Sequence, residues 1–173
     1  MREASGIDFT TKVRVVAGAV LLIVGVLGVV GSVVDWVTIT PPRSPPPGVD
    51  FEGDPFIPGE STEPFNGLEA GDGYVTLVAA GLILAAGFLL VIGRKGGGLG
   101  FVSSILLGAV AISAYRGTSS PGSVLMERTD TAGDPDPALG PLLLGIAAVV
   151  GLVAAALAVA ATPRDPAVEQ DAV

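Results

Sequence analysis

The chain has 173 residues, of which 50% are hydrophobic and 15% charged, and its formal net charge at pH 7 is −8. Soluble domains average about 25% charged residues, so this chain is too apolar for that class. Cys and His are both absent, which excludes a disulfide framework, a thiolate nucleophile and the commonest metal ligand. The acidic balance also argues against nucleic-acid binding, which needs a basic stripe.

Four apolar blocks follow one another along the chain, at residues 13–34, 74–92, 99–115 and 139–161. A helix needs roughly 20 apolar residues to cross a hydrocarbon core of ~30 Å, so the third block is marginal in length. None of the blocks alternates apolar and polar residues as barrel strands do. The first block is longer than the apolar part of a signal peptide, so we expect it to be retained. The sequence predicts an all-α membrane protein with four transmembrane helices in an up-down bundle.

The distribution of Lys and Arg predicts how the bundle is oriented. Six of the nine basic residues lie in or beside the N-terminal segment 1–12, the turn 93–98 and the tail 162–173. Basic residues favour the cytoplasmic side of a membrane protein. We therefore expect a multi-pass plasma-membrane protein with both termini in the cytoplasm and with extracytoplasmic loops at 35–73 and 116–138.

The first outer loop is the longest segment outside the apolar blocks. Residues 35–40 are rich in β-branched and aromatic side chains and predict a short strand. Residues 41–63 are proline-rich and then acidic, which favours a stiff spacer over a ligand for a proline-binding groove. Residues 66–73 form a turn cluster in which Asp72 is a candidate helix N-cap, and Trp36 is expected in the aromatic belt at the membrane surface. The residues predicted to make outer-loop contacts are Trp36, Asn66, Gly67, Leu68, Gly71 and Asp72.

No catalytic or cofactor site is predicted. Apart from Arg14 near the start of the first block, the spans carry only hydroxyl groups as polar side chains, and these can bond carbonyls of their own helices. The chain has no His or Cys, no phosphate-binding loop and no paired nucleophile and base, so we do not expect an enzyme. The hydroxyl-bearing residues of the spans include Ser32, Thr76, Ser103, Ser104, Ser113 and Tyr115.

Acidic residues of the outer loops are the only candidates for a metal site. Asp50, Glu52 and Asp54 alternate along the first loop, but Pro55 and Ser61 stand where a calcium-binding EF-hand loop requires Gly and Glu. A loose divalent-cation site from these three residues, or from Asp130, Asp134 and Asp136, is the alternative to a solvated acidic loop. We favour the solvated loop and expect no metal and no other cofactor.

Pairs of small residues recur within the spans at helix-contact spacing. In lipid, helices associate where small side chains let their backbones approach closely. Such faces pack the four helices of one protomer or bind a partner helix, and both interpretations stay open at this stage. The predicted helix-packing residues are Gly28, Ser32, Gly81, Ala85, Ser104, Gly108, Ala147, Gly151 and Ala155.

Two segments resemble a known group of proteins. The sequences WVTI at 36–39 and NGLEAGDGYVTL at 66–77 are similar to the first outer loop and second-span entry of small four-span membrane proteins widespread in actinobacteria. The resemblance covers the first two spans well and the rest in layout, and it implies topology rather than an activity. A fainter similarity links Trp36 and Gly67–Leu68 to claudin-like proteins, but Glu69 replaces the second Trp of their motif and the loop cysteines are absent.

These features together predict an accessory or scaffolding membrane protein that acts through helix packing and outer-loop contacts. Its expected partners are the lipid bilayer and another membrane protein or a second copy of itself. The alternatives are an extracytoplasmic module that senses a cation or ligand with its acidic loop and, less favoured, a channel or carrier for small solutes.

Overall fold

The computed structural model of the chain describes residues 3–40, 63–70, 72–116 and 134–162. Four long apolar helices, each long enough to cross a membrane, confirm the predicted all-α four-helix architecture. The predicted spacer at 41–63 lies almost wholly outside the described residues. In chain order the elements are α1 (Glu3–Val33), β1 (Asp35–Thr40), β2 (Glu63–Asn66), α2 (Gly67–Ala70), α3 (Gly73–Val91), α4 (Gly97–Arg116), β3 (Asp134–Pro137) and α5 (Leu139–Ala160).

Two helices are longer than the apolar blocks that predict them. Helix α1 has 31 residues and begins ten residues before the first block, so most of the segment expected as an N-terminal tail is helical. Helix α4 has 20 residues, because Gly97 and Gly98 extend it before the apolar run and Arg116 extends it after. At about 1.5 Å per residue, α4 is therefore about 30 Å long and no longer marginal for a membrane crossing.

The four long helices form a ring in the order α1, α3, α4, α5. The three strands lie at one end of this ring, and the short turn between α3 and α4 lies at the other. Among the described residues, the interior combines many alanines and glycines with a few large aliphatic side chains, while many other Val, Ile, Leu and Phe side chains face outward. The large buried aliphatic side chains of the helices are Leu21, Val24, Ile83, Leu90, Leu107 and Leu144. This arrangement suits a bilayer, where apolar side chains gain nothing by leaving lipid and close packing is what holds helices together.

The turn between α3 and α4 is fixed by its backbone. Gly93 has a φ of 82°, a left-handed conformation that glycine adopts without steric cost. The Gly93 N–H donates to the Leu90 carbonyl at 3.1 Å and the Arg94 N–H donates to the Leu89 carbonyl at 2.7 Å. This pair of bonds is a Schellman motif, which satisfies the last carbonyls of α3 and turns the chain sharply into α4.

A three-stranded antiparallel sheet in the order β2-β1-β3 covers the opposite end of the bundle. The predicted strand at 35–40 is confirmed as β1, the central strand. It pairs on one side with β2, which precedes α3, and on the other with β3, which precedes α5. The sheet thus ties both outer connections together, and β3 was not predicted because its sequence, DPDP, lacks the usual strand formers.

Candidate functional site

Three of the four buried hydroxyl groups in the described helices, those of Ser32, Thr76 and Ser104, are bonded to carbonyls of their own helices. The Ser32 hydroxyl donates to the Gly28 carbonyl at 2.7 Å, and the Thr76 hydroxyl lies 2.9 Å from the Gly73 carbonyl. The two hydroxyl oxygens are 2.7 Å apart, which joins α1 to α3. The Ser104 hydroxyl likewise donates to the Gly100 carbonyl at 2.7 Å. The prediction that these three side chains are satisfied within the helices is confirmed.

The centre of the bundle is closed by glycines and alanines. A Cβ at Gly100 of α4 would lie 3.0 Å from Leu21 of α1, 3.4 Å from Ala86 of α3 and 3.6 Å from Ala155 of α5. All four helices therefore meet within van der Waals contact at this level. Gly151 of α5 lies against Ser104 in the same way, because an added Cβ would be 2.5 Å from the Ser104 oxygen. At these two levels, the described helices are therefore in direct contact.

Most of the predicted small-residue faces lie inside the bundle. Gly28 and Ser32 of α1 face Ala80 and Thr76 of α3, where a Cβ at Gly28 would come within 2.9 Å of the Ala80 Cβ. Gly108 of α4 lies against Ala148 of α5 at 3.3 Å on the same measure. Ala147, Gly151 and Ala155 are buried on α5. These residues pack the helices of a single protomer.

Gly81 and Ala85 are different, because both are exposed on the outer surface of α3. A Cβ added at Gly81 would have no atom within 4 Å. The pair is flanked along the same helix by Val78 and Phe88, which are 63% and 59% exposed. The described bundle therefore does not use this small-residue face.

The Trp36 side chain is buried at the sheet end of the bundle and does not lie on the protein surface. The side chain is 0% exposed, so the prediction that it sits in the aromatic belt is wrong. The indole Nε1 donates to the Gly31 carbonyl at 2.7 Å, and the ring contacts the backbones of Gly67 and Gly140, where any side chain would collide with it. The physical reason is that Gly31, Gly67 and Gly140, which are far apart in sequence, place bare backbone around the ring; we call this surface the Trp36 seat. It buries the ring, and the Gly31 carbonyl accepts the hydrogen bond of the indole N–H.

The turn cluster at 66–73 begins with a capping box. The Asn66 Oδ1 accepts hydrogen bonds from the backbone N–H groups of Leu68 and Glu69, both at 3.0 Å. The Glu69 carboxylate in return accepts from the Asn66 N–H at 3.0 Å. This reciprocal pair closes the single turn of α2. Asp72 occupies the N-cap position of α3, as predicted. Its side chain, however, makes no capping hydrogen bond to the helix.

The edges of the sheet offer no free backbone donors in the described strands. The Ala138 N–H donates to the Trp36 carbonyl at 2.9 Å, so by the two-residue period of a strand Pro135 and Pro137 of β3 have their nitrogens facing outward. On β2 the outward positions are Pro64 and Asn66, whose N–H is bound by Glu69. Proline has no N–H, and strands with blocked edges resist the addition of a further strand.

The other residues predicted to make outer-loop contacts are either buried or half-buried within the protein or lie outside the described part of the chain. Gly67 is buried against Trp36, and Leu68 is half-buried. Gly71 and the candidate metal residues Asp50, Glu52, Asp54 and Asp130 lie outside the described residues, as do the side chains of Asp134 and Asp136. Among the residues that the structure describes, no three potential ligand side chains cluster as a metal site. A direct contact of the outer loop with a partner stays a prediction.

Arg14 joins α1 to the turn at the other end of the bundle. Its Nη2 donates to the Gly93 carbonyl at 2.9 Å and to the Arg94 carbonyl at 3.0 Å. Its Nε is buried without a hydrogen-bond partner. These contacts explain why a charged residue is tolerated near the start of the first apolar block: the guanidinium donates to two carbonyls of the turn that follows α3.

Replacing Arg14 by Gln is expected to lower the free energy of unfolding by about 1 kcal/mol, because two bonds from a charged donor are lost at a partly solvated site. Arg14→Lys should recover only part of this loss, since an ammonium group lacks the planar fork of donors. Titration with a denaturing detergent measures the change, and Lys95→Gln, which removes an exposed charge from the same turn, is the control. Equal effects of Arg14→Gln and Lys95→Gln would contradict the assignment.

Sequence reasoning missed three features. The first is the close approach of α1 to α3 at Gly18 and Gly87, where a Cβ at Gly87 would lie 2.8 Å from the Gly18 carbonyl oxygen. The second is the set of backbone contacts that Gly31, Gly67 and Gly140 make with Trp36. A signal for both was present in α1, where glycines recur at 18, 25, 28 and 31. The third is β3, which has no local signal because its pairing with β1 depends on the bundle bringing the two loops together.

Comparison with known proteins finds no protein-family model, no curated protein and no solved structure that matches the chain. The resemblance to small four-span proteins therefore stays an expectation. The four apolar helices themselves identify a multi-pass membrane protein.

Proposed function

We propose that the protein is an accessory or scaffolding subunit that binds another membrane protein, or a second copy of itself, through the outer face of α3. The observation that carries this proposal is the Gly81–Ala85 pair, which lies on that face with no atom of the bundle near the position of a Gly81 side chain. Gly81 and Ala85 are one helical turn apart, so both lie on the same face of α3.

The remainder of the molecule supports a role through surface contact. Among the described residues, the fully buried polar side chains are the hydroxyls of Ser32, Thr76, Ser103 and Ser104, and Arg14 lies at one end of the bundle. Transport pathways and proton relays characteristically carry Asp, Glu, Lys, Arg or His farther inside. The sheet edges are blocked, which disfavours binding by strand addition. Two small residues meet at several of the close approaches between the chain's own helices, as at Gly28 and Ala80, and a pair of small residues is also exposed on α3. A partner helix packed there would gain the same close contact.

The test compares the same substitution, glycine to leucine, at two positions on different helices. Gly81 and Gly145 both have nothing within 4 Å of a built Cβ, but Gly81 lies on the outer face of α3 and Gly145 lies on α5. We expect Gly81→Leu to reduce crosslinking and co-purification of the membrane partner to background, because the added side chain prevents close approach. Gly145→Leu should leave both unchanged. The measurement is in-cell crosslinking of the tagged protein followed by mass spectrometry.

Both variants should keep a free energy of unfolding within about 0.5 kcal/mol of the wild type, as surface substitutions usually do. Loss of the partner in Gly145→Leu but not in Gly81→Leu would place the contact on α5 and contradict the proposal. A wild-type preparation that contains only monomer, with no partner at near-equal stoichiometry, would also count against it.

A further inference from the structure

The two tyrosines of the chain lie at the sheet end of the bundle. Tyr74 is in the first turn of α3 and Tyr115 is in the last turn of α4. Their side chains are 65% and 63% exposed on the outside of the bundle. A tyrosine ring has an apolar body and a polar hydroxyl, which suits it to the boundary between hydrocarbon and lipid headgroups. These two residues therefore mark a membrane boundary in the place where the buried Trp36 does not.

Basic residues mark the opposite end of the bundle. Arg94 and Lys95 are exposed in the turn between α3 and α4. Arg14 of α1 is tied to the same turn, because its guanidinium donates to two of the turn's carbonyls. Charged side chains are costly in the hydrocarbon of a bilayer and lie where they reach water or lipid phosphates. The turn therefore marks the second boundary.

The two ends are about one hydrocarbon thickness apart. On α3, Tyr74 precedes the C-cap residue Ile92 by eighteen residues. On α4, Tyr115 follows the first residue, Gly97, by the same number, and eighteen residues of helix rise about 27 Å. From Arg14 to the end of α1 there are nineteen residues, a rise of about 29 Å. All three lengths match a hydrocarbon core of ~30 Å.

Apolar composition alone places the boundary on α1 differently. The apolar part of α1 begins at Phe9, five residues before Arg14, and a span from Phe9 to Val33 would rise about 36 Å. This exceeds the rise of the other spans that meet the same turn. A boundary at Arg14 instead leaves the first three turns of α1 outside the hydrocarbon, with Phe9 about 8 Å beyond its edge.

We infer that the hydrocarbon core of the bilayer ends at Tyr74 and Tyr115 on one side and at Arg14 and the α3–α4 turn on the other. The tyrosine rings contact lipid headgroups, the sheet lies outside the hydrocarbon, and Phe9 lies in the opposite headgroup layer. The partner of this surface is lipid, so the inference does not depend on the protein contact proposed for α3.

The first arm of the test measures depth along α4. Because the chain has no Cys, one substitution to cysteine carries a single nitroxide label in the full-length protein, reconstituted in dioleoylphosphatidylcholine vesicles. Electron paramagnetic resonance compares collisions of the label with oxygen, which is enriched at the bilayer centre, and with a water-soluble nickel chelate. Ile105, which is 50% exposed and ten residues from Tyr115, is the control for the bilayer centre.

We expect the label in Ile105→Cys to lie about 15 Å deeper than the label in Tyr115→Cys. The labels in Lys95→Cys and Tyr74→Cys should lie within one helical turn, about 5 Å, of the depth of the Tyr115 label. Equal depths at Ile105 and Tyr115, or a larger difference between the two tyrosine positions, would overturn the inference. So would a label at either tyrosine position that neither oxygen nor the chelate reaches, because protein would then cover it.

The second arm decides where the α1 span begins. Phe9 and Ile23 are 69% and 62% exposed, so a label at either position leaves the bundle packing intact. We expect the label in Ile23→Cys to be as deep as the label at Ile105, and the label in Phe9→Cys to meet the nickel chelate more often than the label at Tyr115. A Phe9 label as deep as the Tyr115 label, or deeper, would begin the span where composition places it and would overturn the inference.

Discussion

Replacing Trp36 by Ala is expected to lower the free energy of unfolding by about 3–5 kcal/mol, the usual cost of removing a large buried aromatic side chain. The indole is completely buried and donates a hydrogen bond of 2.7 Å to the Gly31 carbonyl. Gly31 lies in the last turn of α1, where carbonyls have no partner within the helix. The substitution therefore leaves both a cavity and an unpaired carbonyl, and the glycine backbones around the cavity have no side chains with which to fill it.

Trp36→Phe separates these two contributions. The phenyl ring fills most of the seat but has no N–H, so the Gly31 carbonyl loses its donor at a cost of about 1–3 kcal/mol. We expect stability to fall in the order wild type, Trp36→Phe, Trp36→Ala. Denaturing-detergent titration followed by circular dichroism measures the order. Tyr115→Ala is the control, because Tyr115 is an aromatic residue that is 63% exposed, and its loss should cost less than about 0.5 kcal/mol.

The native protein offers an independent check, because Trp36 is its only tryptophan. A fully buried indole should resist quenching by water-soluble acrylamide, and unfolding should abolish this protection. Ready quenching in the folded protein, or a Trp36→Ala variant as stable as Tyr115→Ala, would contradict the assignment of Trp36 as the buried centre of the sheet end.

The apolar blocks were sufficient to predict the helices, because bilayer thickness fixes how long an apolar helix must be. Strand β1 was predictable for a similar local reason, since its β-branched residues favour extended backbone. The position of Trp36 was not, because the aromatic-belt rule describes a side chain that meets lipid headgroups. Here Gly31, Gly67 and Gly140 come from three separate segments and form a buried seat that exists only after the helices have packed.

For the small-residue faces too, the sequence alone does not show which residues point into the bundle. Gly81 and Gly87 lie on the same helix and look alike in sequence, but at 3.6 residues per turn they point about 120° apart. Gly87 faces α1, and Gly81 faces away from the bundle. Spacing predicts which small residues share a face, whereas the ring order of the helices decides whether that face is inside or outside.

Gly87 is the position on α3 where a single methyl group is expected to be costly. A Cβ at Gly87 would lie 2.8 Å from the Gly18 carbonyl oxygen and 2.9 Å from the Leu22 nitrogen, and a Cβ at Gly18 would lie 2.9 Å from the Gly87 oxygen. These contacts are with backbone, which cannot move aside as a flexible side chain can. We expect Gly87→Ala to lower the free energy of unfolding by about 2–3 kcal/mol, within the range for overpacked sites, and Gly87→Leu by more.

Gly81→Ala is the matched control, because it adds the same methyl group to the same helix in open space. It should be neutral or slightly stabilising, since alanine favours helix more than glycine does. The double variant Gly18→Ala/Gly87→Ala adds a test of the contact itself. Once one methyl group has separated α1 from α3, the second should cost less, so the double variant should lose less stability than the two single variants combined. Equal effects of Gly87→Ala and Gly81→Ala, or strict additivity of the Gly18 and Gly87 substitutions, would mean that the two backbones do not meet there.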